Sequence, residues 1–418
     1  MIAEILSTGD EIRTGALTDT NAGYLARHLE GIGLDVVRHH CVGDDADTLQ
    51  SMLTEIGGRA DICLITGGLG PTEDDITAPA AAAASGTELE LDAEALNSIE
   101  DFFSSRKLEM PPSNKKQALL PRGAEALYNP VGTAPGFAVT IGRCRCFFMP
   151  GVPFEMRRML SDQVLPRLEN LMAGARTFHR VRTISTFGLT ESATGDRLTG
   201  LVDAFPDLKL GMQVRFPEIH VKLYAAGSEE AVIDQRLDKA TGWVRERLGK
   251  KIFSISEESM EAVVGELLRK AGATVAAAES CTGGLLAHRL TEVSGSSDYF
   301  LFSGVTYANE AKIKVLGVQT ETLADHGAVS IETAREMAEG VRNLTGADYG
   351  ISTTGIAGPT GGTDEKPVGT VCIGLASRSG VEGRKFTFQF PRRSMNKRIF
   401  ATTALDLLRK ALLQEANR

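Results

Sequence analysis

Two stretches of the chain carry residue types whose spacing could do chemistry. In one, the apolar run ATVAAA stops at Glu279-Ser280-Cys281-Thr282-Gly283-Gly284, and a helix-like pattern, LLAHRL, begins at once. A hydroxyl at a strand end, followed by glycines and a helix start, projects where backbone N–H groups and the helix dipole stabilise an oxyanion. That suits an acyl-transfer nucleophile, although the same pattern also serves a plain tight turn. A serine hydroxyl needs a base to react at neutral pH. Neither His288, in mid-helix, nor His326, before a glycine turn, is a persuasive partner. A lysine whose pKa is lowered by burial can serve instead. GVTYANEAK places Tyr307 and Lys312 directly after a strand-like run, though on spacing alone Lys312 equally suits a solvated surface. Cys281 is the rival nucleophile. Being adjacent to Ser280, only one of the two can point into a site, and burial is the common fate of a free cysteine.

The other stretch is DICLIT followed by Gly67-Gly68-Leu69-Gly70-Pro71-Thr72. A strand ending in such a turn offers backbone N–H groups to an anion. Glu73, Asp74 and Asp75 follow directly, and Asp10 and Glu11 end the first strand-like run. Carboxylates beside a phosphate cradle repel the ligand unless a hard cation sits between them, and magnesium-like ions bind through one or two carboxylates and substrate phosphates. The simpler reading is that Asp74 and Asp75 cap a helix.

These residues must be positioned by alternating strands and helices. From the amino terminus, IAEILS, LDVVRHHCV and DICLIT alternate with helical patterns over 21–31 and 45–56, a cadence that predicts a parallel sheet with crossover helices. This unit is expected to span residues 1–172. Residues 173–253 change character: two alternating strands and a helix suggest a small α+β module, KH-like in outline. KH folds grip nucleic acid with a basic GxxG loop, and no GxxG occurs here. A spacer or dimer-forming role is therefore favoured. Residues 254–418 form a second α/β unit, with Ser256 as N-cap of its first helix, strands near 273–279, 299–306, 348–354 and 369–376, and a helix over 394–415. STTGIAGPTGG, with Thr354 and Gly355, supplies another strand-to-glycine turn. The fold class is thus two parallel or mixed-sheet α/β domains joined by a small module.

Bulk properties narrow the function. The 418 residues carry a net charge of −9, which argues against nucleic acid as the main partner. From Val381 onward the balance reverses, with nine Lys and Arg against three acids, and Arg392, Arg393, Lys397 and Arg398 make a solvated face or an anion site. There is no apolar run of about 18 residues and no signal-like amino terminus, so a cytoplasmic protein without membrane contact is expected. Six scattered cysteines point to reduced structural thiols.

STGDEI, TGGLGPTEDDIT, NPVGTAPGF and MPGVPFEM together resemble the amino-terminal domain of the competence/damage-inducible CinA family, itself similar to the molybdopterin-binding MogA and MoaB fold. The resemblance implies a divalent-metal-dependent ADP-ribose pyrophosphatase. Asp10, Asp74, Asp75 and Glu155 would lie around the metal, with Asn21, Gly67, Gly68, Gly70 and Thr72 toward the substrate. AESCTGG, GVTYANEAK, HGAVS, TTGIAGPTGG and KPVGTV resemble the family's carboxy-terminal domain, whose stand-alone relatives are nicotinamide mononucleotide amidases. By that resemblance Ser280 is the nucleophile, Lys312 and Tyr307 activate it, and Thr282, Gly283, Gly284, Thr354, Gly355 and Arg393 bind substrate, without a cofactor. The family's Gly-Asp before that arginine is replaced by Pro391-Arg392 here, so Arg392 competes with Arg393. A homodimer is implied as well. Two competing readings are a non-enzymatic binding protein in DNA uptake, and an amino-terminal domain that binds a molybdopterin precursor without hydrolysis.

Overall fold

The computed structural model describes residues 1–172 and 178–416. They fall into two compact units, Met1–Arg180 with Ala226–Ile233, and Val181–Ala225 with Asp234–Arg418.

In the first unit the strands are β1 (Ile2–Thr8), β2 (Asp35–Val42), β3 (Ile62–Thr66), β4 (Leu89–Leu91), β5 (Leu119–Pro121), β6 (Glu125–Leu127), β7 (Gly136–Ile141) and β8 (Cys144–Met149). Six of them form one sheet in the order β2-β1-β3-β8-β7-β6, while β4 and β5 pair separately. The β1, β2, β3 and β8 pairings are parallel, and β7 and β6 add antiparallel edges. β3 is buried along its whole length, as a strand covered on both faces must be. Helices Thr20–Gly31 and Ala46–Arg59 begin at side-chain caps, Asp19 accepting from the Ala22 N–H and Asp45 from that of Thr48. The carboxyl ends of β1 and β3 therefore meet at one edge of the sheet.

The second unit holds two sheets. β9 (Phe178–Phe187), β10 (Leu208–Arg215), β11 (Glu218–Gly227) and β12 (Ile252–Ser254) form one, ordered β10-β11-β9-β12. β13 (Val275–Glu279), β14 (Phe300–Val305), β15 (Tyr349–Gly355), β16 (Thr370–Ser377) and β17 (Gly380–Thr387) form the other, ordered β14-β13-β15-β16-β17. β13 lies parallel to β14 and β15, and β16 and β17 run antiparallel. The middle module and the carboxy-terminal sheet share a core, in which Phe187 and Phe253 join Val275, Ile351 and Phe400.

One detail differs from the sequence expectation. The first helix of the carboxy-terminal domain is Met260–Ala271, capped by Ser259, whose hydroxyl accepts from the Ala262 N–H. Ser256 instead donates to Glu258 in the turn before it. The closing helix runs Arg393–Glu415, as the sequence predicts, and the basic residues before it, Arg384 and Lys385, lie on the edge strand β17. Among the described residues no helix is long and apolar enough to cross a membrane.

Candidate functional site

At the carboxyl ends of β1 and β3 the first unit opens a pocket of about 630 Å³. Asn21, Gly67, Gly68, Gly70, Thr72, Asp74, Asp75 and Glu155 line it. The glycines are required by crowding. A Cβ on Gly67 would sit 2.5 Å from the Thr8 carbonyl oxygen, and one on Gly68 would sit 2.2 Å from Thr77 Oγ1. Asn21 is 8% exposed, and its Nδ2 donates to Thr66 Oγ1 at 3.1 Å and to the Gly151 carbonyl at 2.8 Å. Its Oδ1 is buried without a hydrogen-bond partner, an oxygen ligand in waiting.

The carboxylates divide. Asp75 accepts from the N–H and hydroxyl of Thr72, so it closes the turn before the helix Thr77–Ser85; that helix has Ile76 as its N-cap without a side-chain hydrogen bond, so neither Asp74 nor Asp75 caps it. Asp10 is not part of the pocket wall: its Oδ1 accepts from Arg13 Nε at 2.9 Å, on an exposed face beside Gly43. Glu11 and Asp44 line the wall instead, and Asp44 accepts from the Asp10 N–H. Asp44 follows a second strand end and belongs to no motif, which is why the sequence did not single it out. Glu155 accepts from Asn129 Nδ2 at 2.8 Å, and burial pushes its carboxyl above the usual range, the Asn129 contact pulling weakly the other way.

Six acids line this pocket, Glu11, Asp19, Asp44, Asp74, Asp75 and Glu155, and no lysine or arginine does. A phosphate-bearing ligand can enter such a wall only with a cation. Yet among the described residues no three acids, histidines or cysteines converge tightly enough to cage a metal. The donor set does not fit a protein-built metal centre; it suits a hydrated ion that arrives on the ligand's phosphates and touches one or two carboxylates.

In the second unit Ser280 stands at the end of β13, 9% exposed, its N–H donating to the Thr353 carbonyl. The turn folds as a closed loop because of a residue the motif reading passed over. Glu279, fully buried, accepts from the N–H groups of Leu286 and Ala287 at 3.0 and 2.8 Å and from the Ser303 hydroxyl at 3.2 Å. Its carboxylate caps the helix Leu285–Thr291 from beneath. The helix dipole, expected to face the oxyanion, thus faces Glu279. The Gly283 N–H is engaged too, donating to the Ser280 carbonyl at 3.2 Å. Among the described residues the N–H groups of Thr282 and Gly284 have no acceptor, so they are the donors left to the turn. The alternation of polar and apolar residues could have flagged Glu279, an acid ending an otherwise apolar strand.

Lys312 is buried, 1% exposed, with Nζ donating to the carbonyls of Thr306 and Tyr307, both at 3.0 Å. Burial lowers its pKa from the usual lysine value. The surface-lysine alternative is removed. Cys281 is buried, and desolvation pushes its thiol up to about 12, so it is no thiolate nucleophile at neutral pH. Tyr307 is 61% exposed, and its hydroxyl accepts from Arg393 at 3.1 Å, not from Lys312. Arg393 also donates to the Gly358 carbonyl at 2.9 Å, which ties the carboxy-terminal helix to two of the motif loops. Thr282 and Thr354 face inward: the Thr282 hydroxyl pairs with that of Thr353 at 2.7 Å, and Thr354 donates to the Ala328 carbonyl at 2.6 Å. A Cβ on Gly355 would meet the Thr370 carbonyl oxygen at 2.5 Å. The side chains of Thr282 and Thr354 are thus engaged within the fold, and Gly355 is required by close packing.

Fold and sites together define a protein with two separate α/β heads and a small α+β module. Three family models match it: a probable molybdopterin binding domain over residues 4–170, the damage-inducible protein CinA KH domain over 181–254, and the CinA C-terminal domain over 257–412. A CinA-like protein of Desulfosudis oleivorans is 52% identical over 413 residues, covering 99% of this chain and 100% of its own. One from Geobacter sulfurreducens is 45% identical over 408 residues, covering 98% of each chain. The chain belongs to the CinA family. Among solved structures, a competence/damage inducible protein from Agrobacterium tumefaciens is 40% identical, with a TM-score of 0.36, and covers 38% of this chain and 98% of its own.

Proposed function

We propose that the carboxy-terminal head is an amidohydrolase converting nicotinamide mononucleotide to nicotinate mononucleotide and ammonia. The observation that carries this reading is Lys312: a buried lysine of lowered pKa, on the helix Asn309–Leu316 that follows β14, the strand paired with that of the candidate nucleophile. Cys281, next to Ser280, lies within electrostatic reach of it. Neutral Lys312 takes the Ser280 proton as Oγ attacks the amide carbon, and the N–H groups of Thr282 and Gly284 receive the oxyanion. The proton passes to the leaving nitrogen, ammonia departs, and water hydrolyses the acyl ester. Arg393 and Tyr307 hold the entrance. Ammonia release from nicotinamide mononucleotide by the wild type, and its loss in Ser280→Ala and Lys312→Met, tests the reading.

For the amino-terminal head we propose hydrolysis of ADP-ribose to AMP and ribose 5-phosphate. A divalent cation would supply charge neutralisation for the pyrophosphate. Asp74, Glu155 and the free Asn21 oxygen would meet the incoming cation and ligand, while the Gly67-Gly68 turn supports the backbone that faces them. The acidic wall favours this over simple pterin binding, because it demands a cation for a charged ligand. AMP release that depends on added magnesium tests it; binding without release favours a molybdopterin-precursor binder. A homodimer is part of the same proposal, and sedimentation at micromolar concentration tests it.

A further inference from the structure

We infer that the cleft between the small module and the carboxy-terminal sheet binds a planar aromatic monoanion, a carboxylate or sulfonate carried on a fused apolar ring. The inference is independent of the two hydrolase readings above.

The cleft measures about 560 Å³, within the size range of small-molecule sites. Both of its sides belong to the second unit. One side is the β10–β11 hairpin, through Val214, Phe216 and Ile219, and the other is the end of β17 with the closing helix. Among the described residues, none from the Ser280–Gly284 turn lines it. The sequence explains the second side. In Phe386-Thr387-Phe388-Gln389-Phe390 aromatic and polar residues alternate, and alternate side chains of an extended chain share a face. Pairing continues past β17, the Phe388 N–H donating to the Gly369 carbonyl at 3.0 Å. Thr387 and Gln389 are exposed, whereas the three rings line the cleft and are only half-buried. Phe386 and Phe388 are stacked, with centroids 6.2 Å apart and planes inclined by 12°, and Phe216 meets Phe390 edge-on at 4.8 Å. Such rings pack well against a further flat ring, and covering them removes apolar surface from water.

The charges on the wall select the sign of the ligand. Lys410 is paired with Asp406 at 2.5 Å, and Arg384 with Glu382 at 3.0 Å. Glu191 is exposed, where water and salt screen it. Lys251 is the remaining cation. Its Nζ donates to the Gly188 carbonyl at 2.9 Å, which leaves two N–H donors, and among the described residues it pairs with no acid. One uncompensated ammonium beside an aromatic wall matches one negative charge on an apolar ring. A polyphosphate brings more charge than this wall meets, and a neutral ring leaves Lys251 unanswered.

The test is calorimetric titration of the full-length protein with 2-naphthoate and with its neutral counterpart, 2-naphthylmethanol. Naphthoate should bind one to one with a Kd of about 0.1 mM, as suits a ligand of this size. The alcohol should bind about tenfold more weakly, the range for losing a hydrogen bond to a charged group. Lys251→Met should bring the two probes within about threefold of each other, and Lys251→Arg should restore most of the preference. Val214, on the same wall, is 53% exposed, so Val214→Glu leaves the core intact while setting an acid in the cleft. It should weaken naphthoate about tenfold or more. Equal binding of the two probes by the wild type, or a full preference in Lys251→Met, overturns the assignment. So does unchanged binding in Val214→Glu, which puts the probe elsewhere on the chain. A folded wild type that binds neither probe overturns it too and gives the cleft to a second copy of the chain, which a dimer dissociated by Val214→Glu in sedimentation identifies.

Discussion

The two glycine turns of this chain have similar sequences and opposite electrostatics. At Gly67-Gly68 the wall is acidic and open, and among the described residues no lysine or arginine lines it; on the proposed reading this head takes charge brought from outside. At Ser280 the acid that precedes the turn, Glu279, is buried under it as a helix cap, and a nearby lysine, Lys312, has its pKa lowered by burial. A glycine-rich strand-to-helix turn is therefore a scaffold without a fixed chemistry. On the proposed reading, the charges packed behind it separate a metal-borne pyrophosphate from a serine nucleophile.

That contrast can be broken most sharply at Ser280. Ser280→Ala should lower ammonia release from nicotinamide mononucleotide by a factor on the order of 10⁴ or more, while Cys281→Ala stays within about tenfold of wild type, as a buried thiol outside the chemistry would. A dead Cys281→Ala beside an active Ser280→Ala would reverse the assignment. Lys312 comes next. Lys312→Met should cost about 10²–10⁴ in kcat. In the wild type, activity should fall as pH drops through the lowered Lys312 pKa, because only the neutral amine accepts the serine proton. A flat acid limb would remove Lys312 as base.

The amino-terminal head should respond to the opposite treatment. EDTA should abolish AMP release from ADP-ribose and leave deamidation alone. Asp74→Asn should cost about 10² in that release, as loss of an electrostatic partner does. Asp75→Asn should act chiefly on stability, by about 1 kcal/mol, because it closes the Thr72 turn. Equal effects of the two on activity would undo the division between them.

Glu279→Gln sharpens the same comparison at smaller amplitude. A single amide oxygen cannot serve three donors, so a melting-temperature loss of several degrees is expected, from about 1–3 kcal/mol. The activity loss should lie mainly in kcat, through the displaced turn. The smallest effect concerns Glu218 on β11, which burial pushes up to about 7 despite Arg289 at 3.8 Å. Its folded-state pKa is raised, so its contribution to stability is present below its ordinary value, about 4.5, and is lost as pH rises through about 7. The second unit should melt a few degrees lower at pH 8 than at pH 5 by this group, and Glu218→Gln should flatten the slope.

Much of the architecture was legible before any coordinates. Strands near 273–279, 348–354 and 369–376 and the closing helix lie where alternation and periodicity put them, because apolar spacing reports which face is buried. Other features were misread for local reasons. Ser256 has the right residue type for an N-cap, but Ser259 occupies the position whose oxygen meets the third N–H of the helix. Arg384 and Lys385, part of the basic stretch after Val381, alternate along an edge strand, where charge discourages pairing with another chain.

The sequence by itself determined the family, the order of strands and helices, and the two turns where chemistry could sit, since those depend on local pattern and short motifs. Tertiary structure alone decided which side chains face the sites. It turned Asp10 outward and brought Asp44 in. It placed Glu279 beneath the turn and buried Lys312, and it gave Arg393 to a latch between loops. The physical reason is that burial and partnering are set by residues distant in the chain, and these determine both the pKa of a group and its freedom to meet a ligand.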